Sequence, residues 1–397
     1  MAENRMKQLV LTGKGMAEEG GQWELREVDI PRPGPNQLLV KVTASTICNQ
    51  TDLNTIKALH PPHDHQKLFM LPHHFRMWDN RLEGDPLAKN YVDHYPFEPY
   101  PTMMGHEGMG VVVEVGPEDG DDITIGVTPD MYTGQFHPMM AGFSGNDGKF
   151  KVGDRVTCMG SNGSFGEYVL VPKFLAAKIP DDVIDEVGAY AEMVGFTNLM
   201  PRKLIEYGDT VVILAQGAVG LMCTIFARKL YNAGTIITTD PQPFKREMSL
   251  KMGADYAIDP TTTNVAEFVK EITHGRGADV VLECIGTPEA VSLIPYVAGF
   301  GATVGQIGAG CVPVTTDWGY IHFKGLTIIS VSSIYRKIGL AAATQTAIPV
   351  LNDPRCKKEL EELVTHRIPL NVEAAKDIFT KIEKGDEVIK AAFIPGM

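Results

Sequence analysis

Hydrophobic residues follow two different patterns along the chain. Up to about residue 175, short runs rich in β-branched residues, such as QLLVKVTA and GVVVEVG, are separated by Gly and Pro. This pattern predicts a barrel-like domain of short antiparallel strands. From about 198 to 335, buried-type strands such as TVVILA alternate with helical segments, which predicts a doubly wound parallel sheet. Residues 336–397 are expected to be mainly helical, with a short final strand near VIKAAFIP.

Length and composition narrow the class of protein. A chain of 397 residues predicts two or three domains, and 44% hydrophobic residues with 40 Gly and 26 Pro are typical of a globular protein rich in turns. The net charge of −13 argues against nucleic acid or an anionic membrane as the main partner. No apolar run is long enough to cross a bilayer and the first residues lack a signal-peptide core, so a cytoplasmic location is expected.

The cysteines favour a reducing compartment. Six are scattered along the chain, and no two form a CxxC pair. Neither a disulfide scaffold nor a four-cysteine structural zinc lobe is therefore expected.

A glycine-rich turn follows the strand TVVILA. Ala215–Gly220 reads as GxGxxG with alanine in the first position. Gly217 would let the backbone approach a pyrophosphate, Gly220 would let the helix pack closely on the strand, and the helix N-terminus offers free N–H groups to phosphates. Asp240, twenty residues after Gly220, is placed to accept hydrogen bonds from a ribose 2′-hydroxyl. The turn predicts a dinucleotide site, and the alternative is a βαβ turn that binds nothing.

The acid and two nearby cations bear on which dinucleotide binds. Asp240 would repel a 2′-phosphate, which favours NAD over NADP. Lys245 and Arg246 lie close by in the sequence and weaken that preference.

Metal-ligating residue types occur on both sides of a buried strand. Cys48, His106 and Glu192 supply one thiolate, one imidazole and one carboxylate, and a catalytic zinc needs three protein ligands with one position open. Asp52 could hold the second nitrogen of His106, and Thr51 could pass a proton from an alcohol. The alternative is that Cys48 is a small core residue and His106 an ordinary turn histidine.

Matching segments along most of the chain resemble the medium-chain dehydrogenase/reductase superfamily, in its zinc-dependent alcohol and polyol dehydrogenase branch. They are GHEGMGVVVEVG, FKVGDRV, SFGEYVLVP, AQGAVGLM, KMGADYAID and DVVLECIG. The resemblance implies a GroES-like β-rich catalytic domain and a Rossmann domain, hence an α/β protein. It also implies NAD(P) and hydride transfer between the nicotinamide and a carbinol carbon.

The resemblance also implies roles for individual residues. Zinc would be bound by Cys48, His106 and a third residue, which in the sorbitol-dehydrogenase-like branch is the Glu that AYAEM places at Glu192. Glu107 corresponds to the acid beside the zinc histidine, which can approach the metal directly or through water. The residues expected at the cofactor are Thr197, Gly217, Ala218, Val219, Gly220, Asp240, Lys245, Gly286 and Gly308.

Three departures from the family pattern stand out. Cys48 and Asp52 are separated by one residue more than usual, which puts the relay role of Thr51 in doubt, and the structural zinc lobe is absent. Insertions occupy 57–101 and 117–149, and the second contains acidic and Gly-rich stretches that are typical of a solvated loop. The expected organisation is therefore a catalytic domain at 1–197 with both insertions, a Rossmann domain at 198–335, and a segment at 336–397 that returns to the catalytic domain.

The first insertion is rich in histidine. A second metal site is one interpretation, but irregular, Pro-broken spacing favours a loop. Because the insertion begins and ends beside residues of the zinc site, we expect it to line or cover the substrate pocket. Its histidines are His60, His63, His65, His73, His74 and His94.

The functional hypothesis is a dehydrogenase with one catalytic zinc, NAD and a small alcohol or polyol-type substrate, forming a homodimer or homotetramer. Three other classes remain open. The first is a zinc enzyme that oxidises its substrate transiently so that a neighbouring bond can be eliminated, without net redox change. The second is a zinc-free enone reductase of the same fold, and the third is a non-catalytic dinucleotide-binding protein.

Overall fold

In the computed structural model the described residues are 4–13, 21–49, 51–56, 101–118, 150–159, 163–308, 314–331 and 344–397. The chain divides into two units. Unit 1 comprises residues 1–192, 339–348 and 364–397, and unit 2 comprises 193–338 and 349–363. Apart from their first or last residues, both insertions, and with them the pocket and metal interpretations of 57–101, lie outside the described residues.

Unit 1 is built mainly from antiparallel strands. The elements are β1 Arg5–Gly13, β2 Gln22–Asp29, β3 Gln37–Thr46, α1 Thr51–Ile56, β4 Thr102–Met103, β5 Glu107–Val115, β6 Arg155–Met159, β7 Tyr168–Pro172, β8 Ala176–Lys178, α2 Asp185–Ala189, β15 Val364–Pro369, α11 Val372–Lys384 and β16 Lys390–Ile394, and α3 Ala191–Leu204 begins in this unit and continues into unit 2. One sheet has the order β2-β1-β4, and a second has the order β15-β16-β3-β5-β6-β8, with β7 also paired to β3.

The core of unit 1 joins its first and last segments. Leu9 and Leu11 of β1, Trp23 of β2 and Phe393 of β16 are buried in one cluster, and the Trp23 ring stacks on Phe379 of α11 with centroids 5.3 Å apart. Because these residues come from both ends of the sequence, the C-terminal segment is an integral part of this unit.

The described part of unit 2 contains a six-stranded parallel sheet. The elements are β9 Thr210–Leu214, α4 Ala218–Lys229, β10 Thr235–Thr239, α5 Pro243–Met252, β11 Tyr256–Ile258, α6 Val265–Ile272, β12 Ala278–Glu283, α7 Pro288–Val297, β13 Ala298–Gln306, α8 Trp318–Lys324, β14 Thr327–Ser330, α9 Ala347–Leu351 (whose first two residues belong to unit 1) and α10 Lys357–Glu362. The strand order is β11-β10-β9-β12-β13-β14, so successive strands are added first on one side of β9 and then on the other, as in dinucleotide-binding folds. All five residues of β9 are buried, as expected for a strand covered on both faces.

The α/β fold class is confirmed, and the C-terminal segment differs in part from the sequence prediction. Helix α4 ends at Lys229, before Asn232 adopts a left-handed conformation and Gly234 bonds back to Asp209. The tail contains strand β15 as well as β16, and these two pair in parallel. No helix among the described residues is long and apolar enough to cross a membrane.

Candidate metal and cofactor sites

The register of two central strands of unit 1 brings Cys48 and His106 together. Strands β3 and β5 are antiparallel, with Thr46 opposite Glu107. Cys48 lies two residues beyond the end of β3, and His106 lies one residue before the start of β5. Since both residues leave the same end of a paired ladder, their side chains meet although 58 positions separate them in the sequence.

The glycines beside His106 and Glu107 are required by close packing. Gly105 has a φ of +88°, and a Cβ there would lie 2.5 Å from the Phe165 ring. A Cβ on Gly108 would lie 2.9 Å from the Cβ of Ser164. The stretch GHEG therefore lets the start of β5 lie directly against residues 164–165, and this holds His106 and Glu107 in place.

Cys48, His106 and Glu107 form a group that can bind a metal ion. One ligand atom from each lies within 4.8 Å of the others, and within the described part of the chain this is the one group of its kind. His106 and Glu107 are 8% and 4% exposed. Cys48 is partly buried. A thiol, an imidazole and a carboxylate are ligand types that zinc accepts, so the residues present fit a zinc ion.

Asp52 supports two members of this group. Its Oδ1 lies 3.5 Å from Nδ1 of His106, and its Oδ2 accepts a hydrogen bond of 2.9 Å from the backbone N–H of Cys48. Burial alone would lower the pKa of His106, but Asp52 and Cys48 outweigh burial and raise it well above its usual value. Since a metal binds only the neutral imidazole, a proton and a metal ion compete for His106.

The additional residue between Cys48 and Asp52 does not separate them. Helix α1 begins at Thr51, and the backbone N–H of Asp52 bonds to the carbonyl of Cys48 at 3.0 Å. Thr51 is the partly buried first residue of α1, and its carbonyl accepts a hydrogen bond from the Thr55 hydroxyl.

Glu192 lies in the first turn of α3 and is not a member of the three-residue group. Desolvation raises the pKa of its carboxyl to about 7, and the charges of His106, Glu107 and Lys390 also act on it. Glu192 is therefore electrostatically coupled to the group.

Two residues that the sequence analysis missed complete the surroundings of Glu107. Lys390 of β16 forms a salt bridge of 2.5 Å with Oε2 of Glu107, and Thr46 donates a hydrogen bond of 2.5 Å to the same oxygen. Lys390 is 1% exposed. The sequence does contain one indication of this contact: Lys390 is a lone lysine among apolar residues in the final strand. A lysine that is buried there needs a partner of opposite charge.

In unit 2, the glycine-rich turn has the conformation that its sequence predicts. Ala215 has a φ of +71° in the position where the motif usually has glycine, and a Cβ on Gly220 would lie 1.9 Å from the Ala215 carbonyl oxygen. Gly217 precedes α4, has open space around its Cα, and is followed by Ala218 and Val219 in the first turn. The N-terminus of α4 is therefore free to receive a phosphate.

Asp240 braces this turn in the structure. It is 4% exposed, and its two oxygens accept hydrogen bonds from the backbone N–H groups of Gln216, at 2.8 Å, and Gln242, at 2.9 Å. Arg246 bonds to Asp259 and to the carbonyl of Asp240. Lys245 lies over the Phe244 ring, 5.8 Å from its centroid.

Two further loops meet at the carboxyl end of the parallel sheet. Oε1 of buried Glu283 accepts hydrogen bonds from Ile285 and Gly286, and its backbone carbonyl accepts one from Gly308. A Cβ on Gly308 would lie 2.3 Å from the backbone nitrogen of Gly286. The sequence analysis missed Glu283, which positions both predicted cofactor loops. Thr197, on α3, is fully buried, and its hydroxyl has no hydrogen-bond partner among the described residues.

Comparisons with known proteins agree with this architecture. The alcohol dehydrogenase GroES-like domain family matches residues 84–181, and the zinc-binding dehydrogenase family matches residues 218–351. An L-threonine 3-dehydrogenase from Pyrococcus horikoshii is 31% identical over 319 residues, which cover 78% of this chain and 79% of the relative.

Solved structures show the same fold. A 2R,3R-butanediol dehydrogenase from Bacillus subtilis gives a TM-score of 0.71 at 21% identity, over 98% of this chain and 100% of the other. A zinc-binding dehydrogenase from Sinorhizobium meliloti, bound to NADP, gives 0.67 at 24% identity, over 99% and 100%. The chain belongs to the zinc-dependent medium-chain dehydrogenase superfamily, and it is an oxidoreductase that uses a nicotinamide cofactor.

Proposed function

We propose that this protein is an NAD-dependent zinc dehydrogenase that oxidises the hydroxyl group of a small alcohol or polyol-type substrate. The observation that carries the proposal is the group formed by partly buried Cys48 and buried His106 and Glu107. Their thiol, imidazole and carboxylate match the donor set of a catalytic zinc site.

The chain supplies the ligands, their orientation and a path for the proton. Cys48, His106 and one carboxylate, from Glu192 or Glu107, would hold the zinc ion. Zinc bound there would supply Lewis-acid stabilisation of negative charge on the substrate oxygen. Asp52 fixes the orientation of the His106 ring, and Thr51 is proposed to pass the hydroxyl proton towards solvent.

We further propose that the cofactor is NAD. The carboxylate of Asp240 follows β10 beside the glycine-rich turn, where its negative charge disfavours a 2′-phosphate. Arg246, the cation that could offset this charge, is already bonded to Asp259 and to backbone carbonyls. We expect Thr197, Gly286 and Gly308 to lie along the cofactor.

The similarity to an L-threonine 3-dehydrogenase suggests a first substrate to test. L-Threonine carries a secondary hydroxyl group beside an amino group, and it belongs in a panel with polyols, simple alcohols and hydroxy acids. The purified protein is expected to contain one zinc per chain and to form NADH with at least one member of the panel. Product analysis by mass spectrometry separates net oxidation from elimination without net redox change.

A pair of cysteine variants makes this test specific. Cys48→Ser should lose zinc and NADH formation while retaining NAD binding, because unit 2 carries the dinucleotide turn. Cys356→Ser is the matched control, since Cys356 is equally a free thiol but lies buried in unit 2. Zinc at full occupancy in Cys48→Ser would contradict the proposed site.

We also propose that the chain forms a homo-oligomer through unit 2. Strand β14 is an edge of the described parallel sheet, and Ile328 on it is 46% exposed. Nearby in sequence, Phe300, Trp318 and Phe323 are 82%, 70% and 80% exposed. An open edge strand with apolar neighbours can pair with its own copy about a two-fold axis.

Sedimentation velocity tests this interface. Phe323→Asp should yield monomers, whereas Tyr207→Ser, which alters an exposed aromatic residue outside this surface, should leave the oligomer intact. A parent chain that sediments as a monomer would overturn the proposal.

A further inference from the structure

Lys390 places a positive charge beside the metal-ligand group from the far end of the chain. Its Nζ bonds to Oε2 of Glu107 at 2.5 Å and to the carbonyl of Ile47 at 2.8 Å, and it lies 5.8 Å from the centre of the Tyr190 ring. Two of the three N–H donors of the ammonium group are therefore used in buried hydrogen bonds, and the Tyr190 ring lies near its charge. The lysine side chain is therefore held in one position.

Strand pairing explains how residues 283 positions apart meet. Thr46 of β3 is opposite Glu107 of β5 on one side and opposite Ala392 of β16 on the other. Lys390 begins β16, so its side chain starts at the same end of the sheet as Glu107. Thr46 and Lys390 then both bond to Oε2 of Glu107, which fixes the carboxylate from two neighbouring strands.

The charges around Glu107 give this arrangement a chemical consequence. A buried carboxylate without a counter-charge is strongly unfavourable, so it takes another positive partner or a proton. Glu107 lies within 4.8 Å of ligand atoms of Cys48 and His106, where the metal of the proposed function would be. Without Lys390, a metal ion held by Cys48 and His106 would be a positive partner within reach of Glu107.

We propose that Lys390 is a positioning residue that decides which carboxylate binds the metal. By neutralising Glu107 and holding it with Thr46, Lys390 keeps this carboxylate from becoming a permanent ligand, so that Glu192 completes the site and one coordination position stays open to substrate. This inference rests on the proposed function, because it assumes a metal at Cys48 and His106.

Cobalt substitution tests the proposal independently of turnover. Co²⁺ replaces zinc in such sites, and its visible absorption weakens when a further ligand joins a four-coordinate centre. Lys390→Met should weaken the bands, slow the removal of metal by a chelator and lower kcat by about 10- to 100-fold, the usual effect of losing a residue that orients a ligand. Lys390→Arg should preserve all three properties, since it keeps the charge.

A second substitution separates positioning from a general loss of stability. In Lys390→Met/Glu107→Gln the neutral amide no longer competes for the metal, so the Co²⁺ spectrum and most of kcat should return. Lys324→Met is the matched control, because Lys324 donates hydrogen bonds to the carbonyls of Pro295 and Ala298 in unit 2, and its loss should leave the spectrum unchanged. Thr46→Val should shift the spectrum in the same direction as Lys390→Met, by a smaller amount.

The outcomes distinguish the two levels of the hypothesis. A parent protein that binds neither zinc nor Co²⁺ overturns the proposed function, and this inference with it. If the parent binds Co²⁺ but Lys390→Met keeps the same spectrum and kcat, only the role of Lys390 is overturned. The role of Lys390 is also overturned if adding Glu107→Gln to Lys390→Met does not restore the spectrum and kcat. If Lys390→Met does not fold, an unchanged spectrum in Thr46→Val overturns it.

Discussion

The metal-ligand group of unit 1 and the dinucleotide turn of unit 2 are assembled in different ways. The first depends on side chains from distant segments, since Glu107 bonds to a lysine 283 residues away. The second is local: Ala215–Gly220 and Asp240 span 26 residues and act largely through backbone N–H groups. The contrast teaches that the metal site is sensitive to charge and coordination, whereas the turn is sensitive to backbone conformation.

Removing the Glu192 side chain should have the largest effect on activity, and it should affect the metal site of unit 1 without affecting the dinucleotide turn of unit 2. Glu192→Ala is expected to lose bound metal and turnover together, because a three-ligand site loses one ligand. NAD binding should remain, since the turn of unit 2 is untouched. Metal analysis and isothermal titration with NAD measure the two properties. Full zinc occupancy in this variant would make Glu107 the third ligand.

Replacing Asp52 should weaken the metal site without abolishing it. In Asp52→Asn the hydrogen bond to the Cys48 N–H can persist, but the negative charge beside His106 is lost. Metal affinity should fall by about 10- to 100-fold, as is usual for residues that orient a metal-bound histidine. Competition with a chromogenic chelator measures this, and an unchanged affinity would show that Asp52 serves only the fold.

Replacing Asp240 should alter cofactor choice and stability at once. Asp240→Ser removes the charge that disfavours a 2′-phosphate, so the ratio of kcat/KM for NADP to that for NAD should rise. It also leaves the buried N–H groups of Gln216 and Gln242 without their acceptor, which should cost about 1–3 kcal/mol of folding free energy. Kinetics with both cofactors and thermal unfolding measure the two effects. Equal kcat/KM values for NAD and NADP in the parent would contradict the proposal that Asp240 selects NAD.

Removing the backbone strain at Ala215 should have the smallest effect, a modest gain in folding stability. Ala215 adopts a left-handed conformation that is unfavourable for a residue with a Cβ. Ala215→Gly should therefore stabilise the protein by about 0.5–1 kcal/mol, after allowing for the entropy that glycine loses on folding. Ala218→Gly, at the start of α4, is the control and should be neutral or destabilising. A lower melting temperature for Ala215→Gly would show that the alanine methyl group packs favourably.

Most of the fold was accessible from hydrophobic patterns and turn residues. The run TVVILA predicted a strand buried on both faces, and β9 is one. The alternation of strands and helical segments after this run predicted a parallel sheet, and the described strands β9 to β14 form one. The run VTHRIP was not predicted as a strand, because its partly exposed, mixed residues lack a clear period and it forms only by pairing with β16.

The candidate site was accessible only in part. Cys48 and Asp52 lie one helical turn apart, so their proximity follows from local structure. His106 and Glu107 were identified because they lie in the stretch GHEG, which is a recognisable motif. Glu283 and Lys390 were missed because each lies at one end of a mainly apolar strand, and no local pattern indicates which residues such a charged side chain contacts.

The sequence by itself determined most strands and helices, the glycine-rich turn and the ligand types available to a metal, because these depend on neighbours within a few residues. Only the tertiary structure decided that Asp240 braces the turn through Gln216 and Gln242, and that Lys390 and Thr46 hold Glu107. The physical reason is that strand register, set by packing over the whole sheet, selects which distant charges become buried together.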